Sequence, residues 1–366
     1  NIVGESLSRL LEAAGAKVRR ANYQGDVGLH VAKAVWGMQK DMESQGITLK
    51  ALGAKTLQER AHFLGNTYAK GALAYEEDPQ AKLKIEDLNQ RIFAQDKTIK
   101  KLYQKGRKWS LEYFETIYKR LGTKFDQYYF ESEVGKTGLA LVQKGLKTGI
   151  FEKSQGAVIF PGEKYGLHSR VFINSLGLPT YEAKELGLAP TKYKDFKYDL
   201  SIIITGNEII DYFKVLLAAL QQLEPSLAAK TRHLSHGMVR LPEGKMSSRT
   251  GNVITGESLL DEVKARVFKI MESSGTDFSV KEKENAAEVI SLGAVKYSLL
   301  RVGLGKDIIF DFEKSLNMEG ESGPYLQYTY ARCKSILRKA KPSSTRLKLN
   351  LVKFSSEETA LLRSIE

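Results

Sequence analysis

The chain has one cysteine, Cys333, in 366 residues. An internal disulfide needs a second cysteine and a cysteine-based zinc site needs more, so both are excluded. A lone thiol fits a reducing, cytoplasmic setting. No apolar run approaches the roughly 18 residues of a membrane span, so no membrane partner is expected. Nothing suggests disorder throughout: 42% of the residues are apolar, enough for a core. Acids are in the minority, with 43 Asp and Glu against 56 Lys and Arg, a net charge of +13. That balance fits a polyanionic partner, although many basic proteins bind no nucleic acid. The length suggests two domains, or three. The chain opens at Asn1 with no methionine or signal peptide and stops at Glu366 inside a helical pattern. It therefore reads as a fragment cut at both ends.

The stretch that organises the rest is 236–251. A partly apolar run from Leu234 to Leu241 reads as a short strand, broken by Pro242, Glu243 and Gly244. Lys245, Met246, Ser247, Ser248 and Arg249 follow, closed by Gly251. Two cations flanking two hydroxyls, with a glycine at each end, suit a loop that grips a polyphosphate. The same residues also suit a basic surface hairpin. His236 alone reads as an ordinary structural histidine; its place just before this loop makes it a candidate.

Taken in order, Ile2, Leu7, Leu10 and Leu11 make a helical stripe that Gly15 stops. Lys17 to Tyr23 reads as a strand, and Gln24-Gly25-Asp26 as its turn. This αβ rhythm belongs to a doubly wound sheet, where ligands sit beyond the carboxyl ends of strands. Asn22 and Asp26 lie at that end, where short polar side chains also serve as turn formers. Residues 57–76 and 81–121 predict charged helices of an insertion, with Trp109, Tyr113, Phe114 and Tyr118 as its packing seam. Arg170 to Asn174 predicts a strand. A helix then carries Tyr181 and Glu185 at i, i+4, a pair able to clasp a flat cation by ring and carboxylate, or simply an exposed pair at a helix start. Tyr198 to Thr205 predicts a buried parallel strand. Glu208 opens the helix that follows, Ile209 to Leu223. Near the end, Leu326, Tyr330, Cys333 and Leu337 predict a buried helical stripe. Residues 322–356 hold eight Lys or Arg and no acid, an RNA-facing surface or a solvated basic face.

Four segments carry a resemblance. Lys245-Met-Ser-Ser-Arg249 resembles the KMSKS signature of class I aminoacyl-tRNA synthetases, whose lysine stabilises the ATP phosphates as the adenylate forms. Arg20-Ala-Asn-Tyr-Gln-Gly-Asp-Val-Gly28 is similar to the arginyl-tRNA synthetase segment in which the asparagine touches the substrate arginine. Leu178-Pro-Thr-Tyr-Glu-Ala-Lys-Glu-Leu-Gly-Leu188 resembles the segment whose tyrosine and aspartate hold the guanidinium. Glu319 to Arg332 resembles the junction to the family's anticodon-binding domain. Three positions depart: Lys17 for a glutamate, Glu185 for the usual aspartate, and Ile209 for a frequent histidine.

The resemblance implies an α/β fold: a Rossmann-type doubly wound parallel sheet over residues 1–318, with a helical insertion at about 50–130. Residues 319–366 would begin an all-α anticodon-binding domain. The HIGH signature would precede Asn1. The implied activity is arginine–tRNA ligation, with ATP as substrate, Mg²⁺ as cofactor, and L-arginine and tRNA(Arg) as partners of a monomer. Lys245, Ser247 and Ser248 would be catalytic. His236, Gly237, Met238 and Lys245 would bind ATP. Asn22, Asp26, Tyr181, Glu185 and Glu208 would bind arginine, which the family usually activates only with tRNA bound. Another class I synthetase or nucleotidyltransferase, and a non-catalytic RNA-binding remnant, stay open.

Overall fold

The structure is a computed structural model that describes residues 1–242, 255–275, 277–340 and 353–365. The chain divides into two compact units, Asn1–Glu262 with Ser298–Asp311, and Val263–Tyr297 with Phe312–Glu366.

The first unit opens with α1 (Ile2–Ala13) and β1 (Ala21–Gln24). The strand begins later than Lys17 because Arg20 is engaged elsewhere. Its guanidinium pairs with Glu12 at 2.6 Å and Glu5 at 3.0 Å, tying α1 down. Its amide donates to Asp126 at 2.7 Å. Helices α2 (Leu29–Gln45), α3 (Leu49–Ala54), α4 (Leu57–Glu77), α5 (Pro79–Phe93) and α6 (Lys97–Leu121) then cross to β2 (Gln127–Phe130). β2 pairs in parallel with β1, with Asn22 opposite Tyr128. The predicted helical stretch 81–121 is in fact two helices. Gln95 takes a left-handed φ of 58°, and Asp96 caps the new helix by accepting from the Thr98 amide at 2.8 Å. Trp109 is buried with Met38 and Leu52, as the seam requires, but Phe114 faces outward.

Helix α7 (Glu131–Lys147), strands β3 (Glu152–Ser154), β4 (Ala157–Phe160) and β5 (Arg170–Ile173), and helix α8 (Tyr181–Asp195) follow. β3, β4 and β5 form an antiparallel sheet. Its core is Phe151, Phe160 and Phe172, packed edge to face at 4.9 to 5.8 Å around Phe151. Burying each ring contributes roughly 2–3 kcal/mol. Helices α7 and α8 cross almost backbone to backbone. A Cβ on Gly138 would lie 1.8 Å from the Ala183 carbonyl, and one on Gly187 2.4 Å from that of Val134. This crossing sets where the first turn of α8 stands. Gly138→Ala is therefore expected to cost about 3 kcal/mol or more, because backbone cannot yield as a side chain can. Thermal unfolding checks it; an unchanged midpoint would mean the helices part freely.

The chain continues through β6 (Ser201–Gly206), a 3₁₀ turn at Asn207–Ile209, α9 (Ile210–Leu223), α10 (Pro225–Lys230) and β7 (Thr231–His236). β6 and β7 run parallel, with Gly206 opposite His236. β6 is half-buried rather than buried as its apolar run predicts. Only β7 pairs with it among the described residues. The predicted strand 234–241 breaks at Gly237, and β8 (Val239–Arg240) resumes beyond it. Further along, β9 (Ile308–Ile309) pairs in parallel with β8. The unit is thus mixed α/β, with three parallel strand pairs and one antiparallel sheet among the described residues.

The second unit takes most of α11 (Gly256–Ser273) and α12 (Val280–Leu300), then α13 (Phe312–Leu316), α14 (Gly323–Lys339) and α15 (Ser356–Ile365). Lys264 pairs with Glu288 at 3.0 Å, and Gln327 donates to the Val289 carbonyl at 3.0 Å. The predicted core stripe of α14 is corrected here. Leu326, Tyr330, Cys333 and Leu337 are exposed, while Gly323 and Pro324 are buried. Apolar spacing defines a face and says nothing of what covers it.

Candidate active site

Glu185 is central. It stands one turn into α8, and its carboxylate accepts no hydrogen bond and makes no ion pair among the described residues. Burial lifts it to about pH 7, against the pull of Lys192 and with a further push from Glu131. Lys192 does not reach it as a partner; its ammonium donates to the Ser201 hydroxyl at 2.9 Å. Burial also raises the phenols of Tyr23 on β1 and Tyr212 on α9 well above their ordinary value, and the Glu185 charge adds to both. The Tyr23 hydroxyl is buried without a partner among the described residues. A partly buried carboxylate that feels two phenols, and whose neighbouring Lys192 is turned to Ser201 instead of pairing with it, can take its cation from a ligand.

Asn22 precedes Tyr23, so strand alternation turns it to the other face of β1. Its Nδ2 is buried and also lacks a partner among the described residues. Tyr181 begins α8 and is half exposed. Its hydroxyl lies 3.1 Å from His30 Nδ1, and the two rings stack at 6.3 Å. The Lys184 ammonium sits 4.3 Å from the Tyr181 ring centre and pairs with Glu131, both buried.

Asp26 is occupied. Its Oδ1 accepts from the Ser132 amide at 2.9 Å. Its Oδ2 accepts the Ser132 hydroxyl at 2.7 Å and that of Tyr103 at 3.3 Å, with Arg107 Nε at 2.9 Å. The structure places it as the anchor that holds the loop after β1 to α6 and α7. Glu208 is exposed and folds back over Gly206, where an added Cβ would lie 2.1 Å from its carboxylate. It follows the carboxyl end of β6, where Gly206 stands opposite His236.

The nucleotide residues lie at those same strand ends. His236 Nδ1 donates to the Gly237 carbonyl at 2.9 Å. Only glycine fits at 237, since a Cβ would come within 1.9 Å of the Lys306 carbonyl. The Met238 amide donates to Asp307 at 3.0 Å, and its carbonyl accepts the Ile308 amide at 2.8 Å. That donor bond, with Arg240 beside it at 2.7 Å, holds the Asp307 carboxyl below its usual range. Met238, expected to bind ATP, thus has its backbone amide and carbonyl already paired. Lys245, Ser247 and Ser248 lie outside the described residues.

Sequence reasoning missed Tyr23, His30, Lys184 and Tyr212 as site residues. Lys184 had a usable signal, three residues after Tyr181 on one helix face. Tyr212 had none.

Residues 1–312 match the family model for class I tRNA synthetases (R), catalytic domain. The arginine–tRNA ligase of Treponema denticola is 35% identical over 376 residues, covering 100% of this chain and 62% of that protein. That of Borreliella burgdorferi is 34% identical over 369 residues, covering 98% and 62%. The chain thus spans about three fifths of the length of these curated relatives. Among solved structures, Thermus thermophilus arginyl-tRNA synthetase aligns with a TM-score of 0.73 at 23% identity, over 96% of this chain and 63% of that one. The Plasmodium falciparum enzyme aligns at 0.71 with 20% identity, over 93% and 56%. These two likenesses concern the fold alone.

Proposed function

The chain belongs to the class I tRNA synthetase (R) catalytic-domain family, and on that premise we propose that it builds the arginine-activating centre of an arginine–tRNA ligase. The observation that carries this reading is Glu185, a carboxylate pushed up by burial that has no ion-pair partner among the described residues. A guanidinium supplies that cation in a planar fork that a carboxylate can meet with two parallel bonds. The glutamate, one methylene longer than the family's usual aspartate, keeps the charge. Asn22, on the other face of β1 from Tyr23, offers an unpartnered donor, and Tyr181 a ring for stacking.

The proposed chemistry has two steps. The arginine carboxylate attacks the ATP α-phosphorus in line, forming a P–O bond as the bond to the leaving pyrophosphate breaks. The ribose hydroxyl of the terminal tRNA(Arg) adenosine then attacks the adenylate carbonyl and releases AMP. The protein positions the reactants and meets charge; no side-chain nucleophile is required. We assign Lys245 to the charge that builds on the phosphates, with Ser247 and Ser248 as hydrogen-bond donors. Mg²⁺ would share that charge on the phosphates; among the described residues no cluster of three His, Cys, Asp or Glu could hold a metal by itself. Asp26 acts in this scheme by holding the pocket loop, and Glu208 at the strand ends beside the nucleotide. The division at 318/319 follows the junction motif and stays part of the proposal; the family match ends nearby at residue 312. We place the protein in the cytoplasm as a monomer that binds tRNA. No helix among the described residues is long and apolar enough to cross a membrane.

Two results test the reading. Citrulline has arginine's shape without its charge, so leaving Glu185 unpaired should weaken its binding by about 10²-fold or more. Calorimetry that finds the two equal would sink the guanidinium assignment. The pH dependence has a definite sign. Glu185 titrates near pH 7 when no cation is bound, so arginine must displace a proton in acid. Arginine KM is expected to rise about tenfold per pH unit below 7 and to level off above about 8. A KM flat from pH 6 to 8 would contradict it.

A further inference from the structure

His30 stands in the first turn of α2, away from Glu185 in sequence, and none of the motifs above gives it a role. Its ring is held on three sides. Nε2 lies 3.3 Å from the Gly25 carbonyl, and Nδ1 lies 3.1 Å from the Tyr181 hydroxyl. The ring stacks on Tyr181 with an interplanar angle of 23°. The loop wraps it so closely that a Cβ on Gly25 would sit 3.5 Å from Nε2 and one on Gly28 3.4 Å from Nδ1.

These contacts fix the tautomer. A carbonyl only accepts, so Nε2 carries the proton and donates to Gly25. Nδ1 then holds a lone pair, and the Tyr181 hydroxyl must donate to it. The neutral imidazole satisfies both neighbours at once; the protonated one would oblige the Tyr181 hydroxyl to turn its own proton away and accept instead. Resting on the arginine reading, we propose that His30 is a positioning residue: as a neutral imidazole it locks the Tyr181 ring as one wall of the guanidinium pocket. Tyr181 is half exposed and would otherwise be free to turn about its side-chain bonds. A stacking wall held in place costs less ordering when the cation binds.

The surroundings favour the neutral form. Burial depresses the imidazole's proton affinity, and the Lys184 ammonium on α8 acts in the same direction. The Gly25 bond and the Asp26 carboxylate oppose them. Glu131 on α7, facing Gly25, Tyr68 on α4 and Glu182 on α8 are further ionisable groups around the His30–Tyr181 pair. Asp26 is occupied by Ser132, Tyr103 and Arg107, and Lys184 by Glu131.

The test uses arginine-dependent ATP–pyrophosphate exchange by the whole protein with tRNA present. His30→Ala should raise arginine KM about tenfold, with kcat and ATP KM within about twofold, because a binding wall is loosened and the chemistry is not. His30→Gln offers an amide N–H to Gly25 and an amide oxygen to Tyr181, neither of which titrates, so its KM should stay within about threefold of the parent. Tyr181→Phe should match His30→Ala, and the double variant should be no worse than either, since the two act through one contact. Equal losses in arginine KM, ATP KM and kcat for His30→Ala would show a merely structural role and overturn the proposal. So would His30→Gln as impaired as His30→Ala, or additive effects with Tyr181→Phe. Exchange by the unaltered protein with a different amino acid would instead overturn the arginine reading beneath it.

Discussion

Glu185→Gln is expected to lower kcat/KM for arginine by about 10²–10³-fold while leaving ATP KM within about twofold. The amide keeps the shape of the side chain and removes the charge that the guanidinium must meet. The same change should make the protein more stable. Burial raises the Glu185 carboxyl to about 7, above its value in an unfolded chain near 4. Between those values the folded state holds a proton that the unfolded state has lost, so this group's contribution falls as pH rises toward 7 and stays lost above it. At pH 8 the cost of the empty, ionised carboxylate is up to about 3 kcal/mol, with the attraction of Lys192 already counted. Glu185→Gln should therefore unfold at a higher temperature at pH 8, with the gap closing near pH 5. A destabilised variant, or one that still activates arginine within tenfold of the parent, would show that Glu185 is an ordinary structural acid.

Lys245→Ala carries the second large effect. As pyrophosphate leaves, negative charge builds on oxygens that a positioned ammonium can meet. Its removal should cut the exchange rate by about 10²–10³-fold, the usual magnitude for one such donor. Ser247→Ala and Ser248→Ala should each cost less, about tenfold, as neutral hydrogen bonds are weaker than charge-assisted ones. Arginine binding measured by calorimetry should not change in any of the three. Loss of arginine binding in Lys245→Ala would mean the loop shapes the amino-acid pocket instead. Exchange within tenfold of the parent would remove Lys245 from the chemistry.

The local pieces of this fold were legible where one segment decides them. The spacing of Tyr181 and Glu185 placed both on the first turns of one helix. Thr255, a hydroxyl just ahead of a helical run, caps α11 by accepting from the Ser258 amide at 3.0 Å. What could not be read depends on residues far apart in the chain. Asp26 has the look of a ligand at a strand end, but Tyr103 and Ser132, 77 and 106 residues away, take its oxygens. Lys184 reads as a surface lysine in α8 until Glu131 is found buried against it, 53 residues back. Met238 reads as a residue that binds ATP, but Asp307, 69 residues downstream, takes its amide. The α14 stripe has the right period and is exposed, because period says nothing of partners. The crossing of α7 on α8 at Gly138 and Gly187, which places Glu185, shows in the sequence only as two glycines within helical patterns.

The central claim is that the Glu185 pocket selects arginine for activation. The most direct measurement is ATP–pyrophosphate exchange by the whole protein with each of the twenty amino acids, with and without bulk tRNA. The account predicts exchange with arginine alone, dependent on tRNA, with lysine failing because a point charge cannot use the planar fork. Exchange supported by another amino acid, or by several alike, would contradict it.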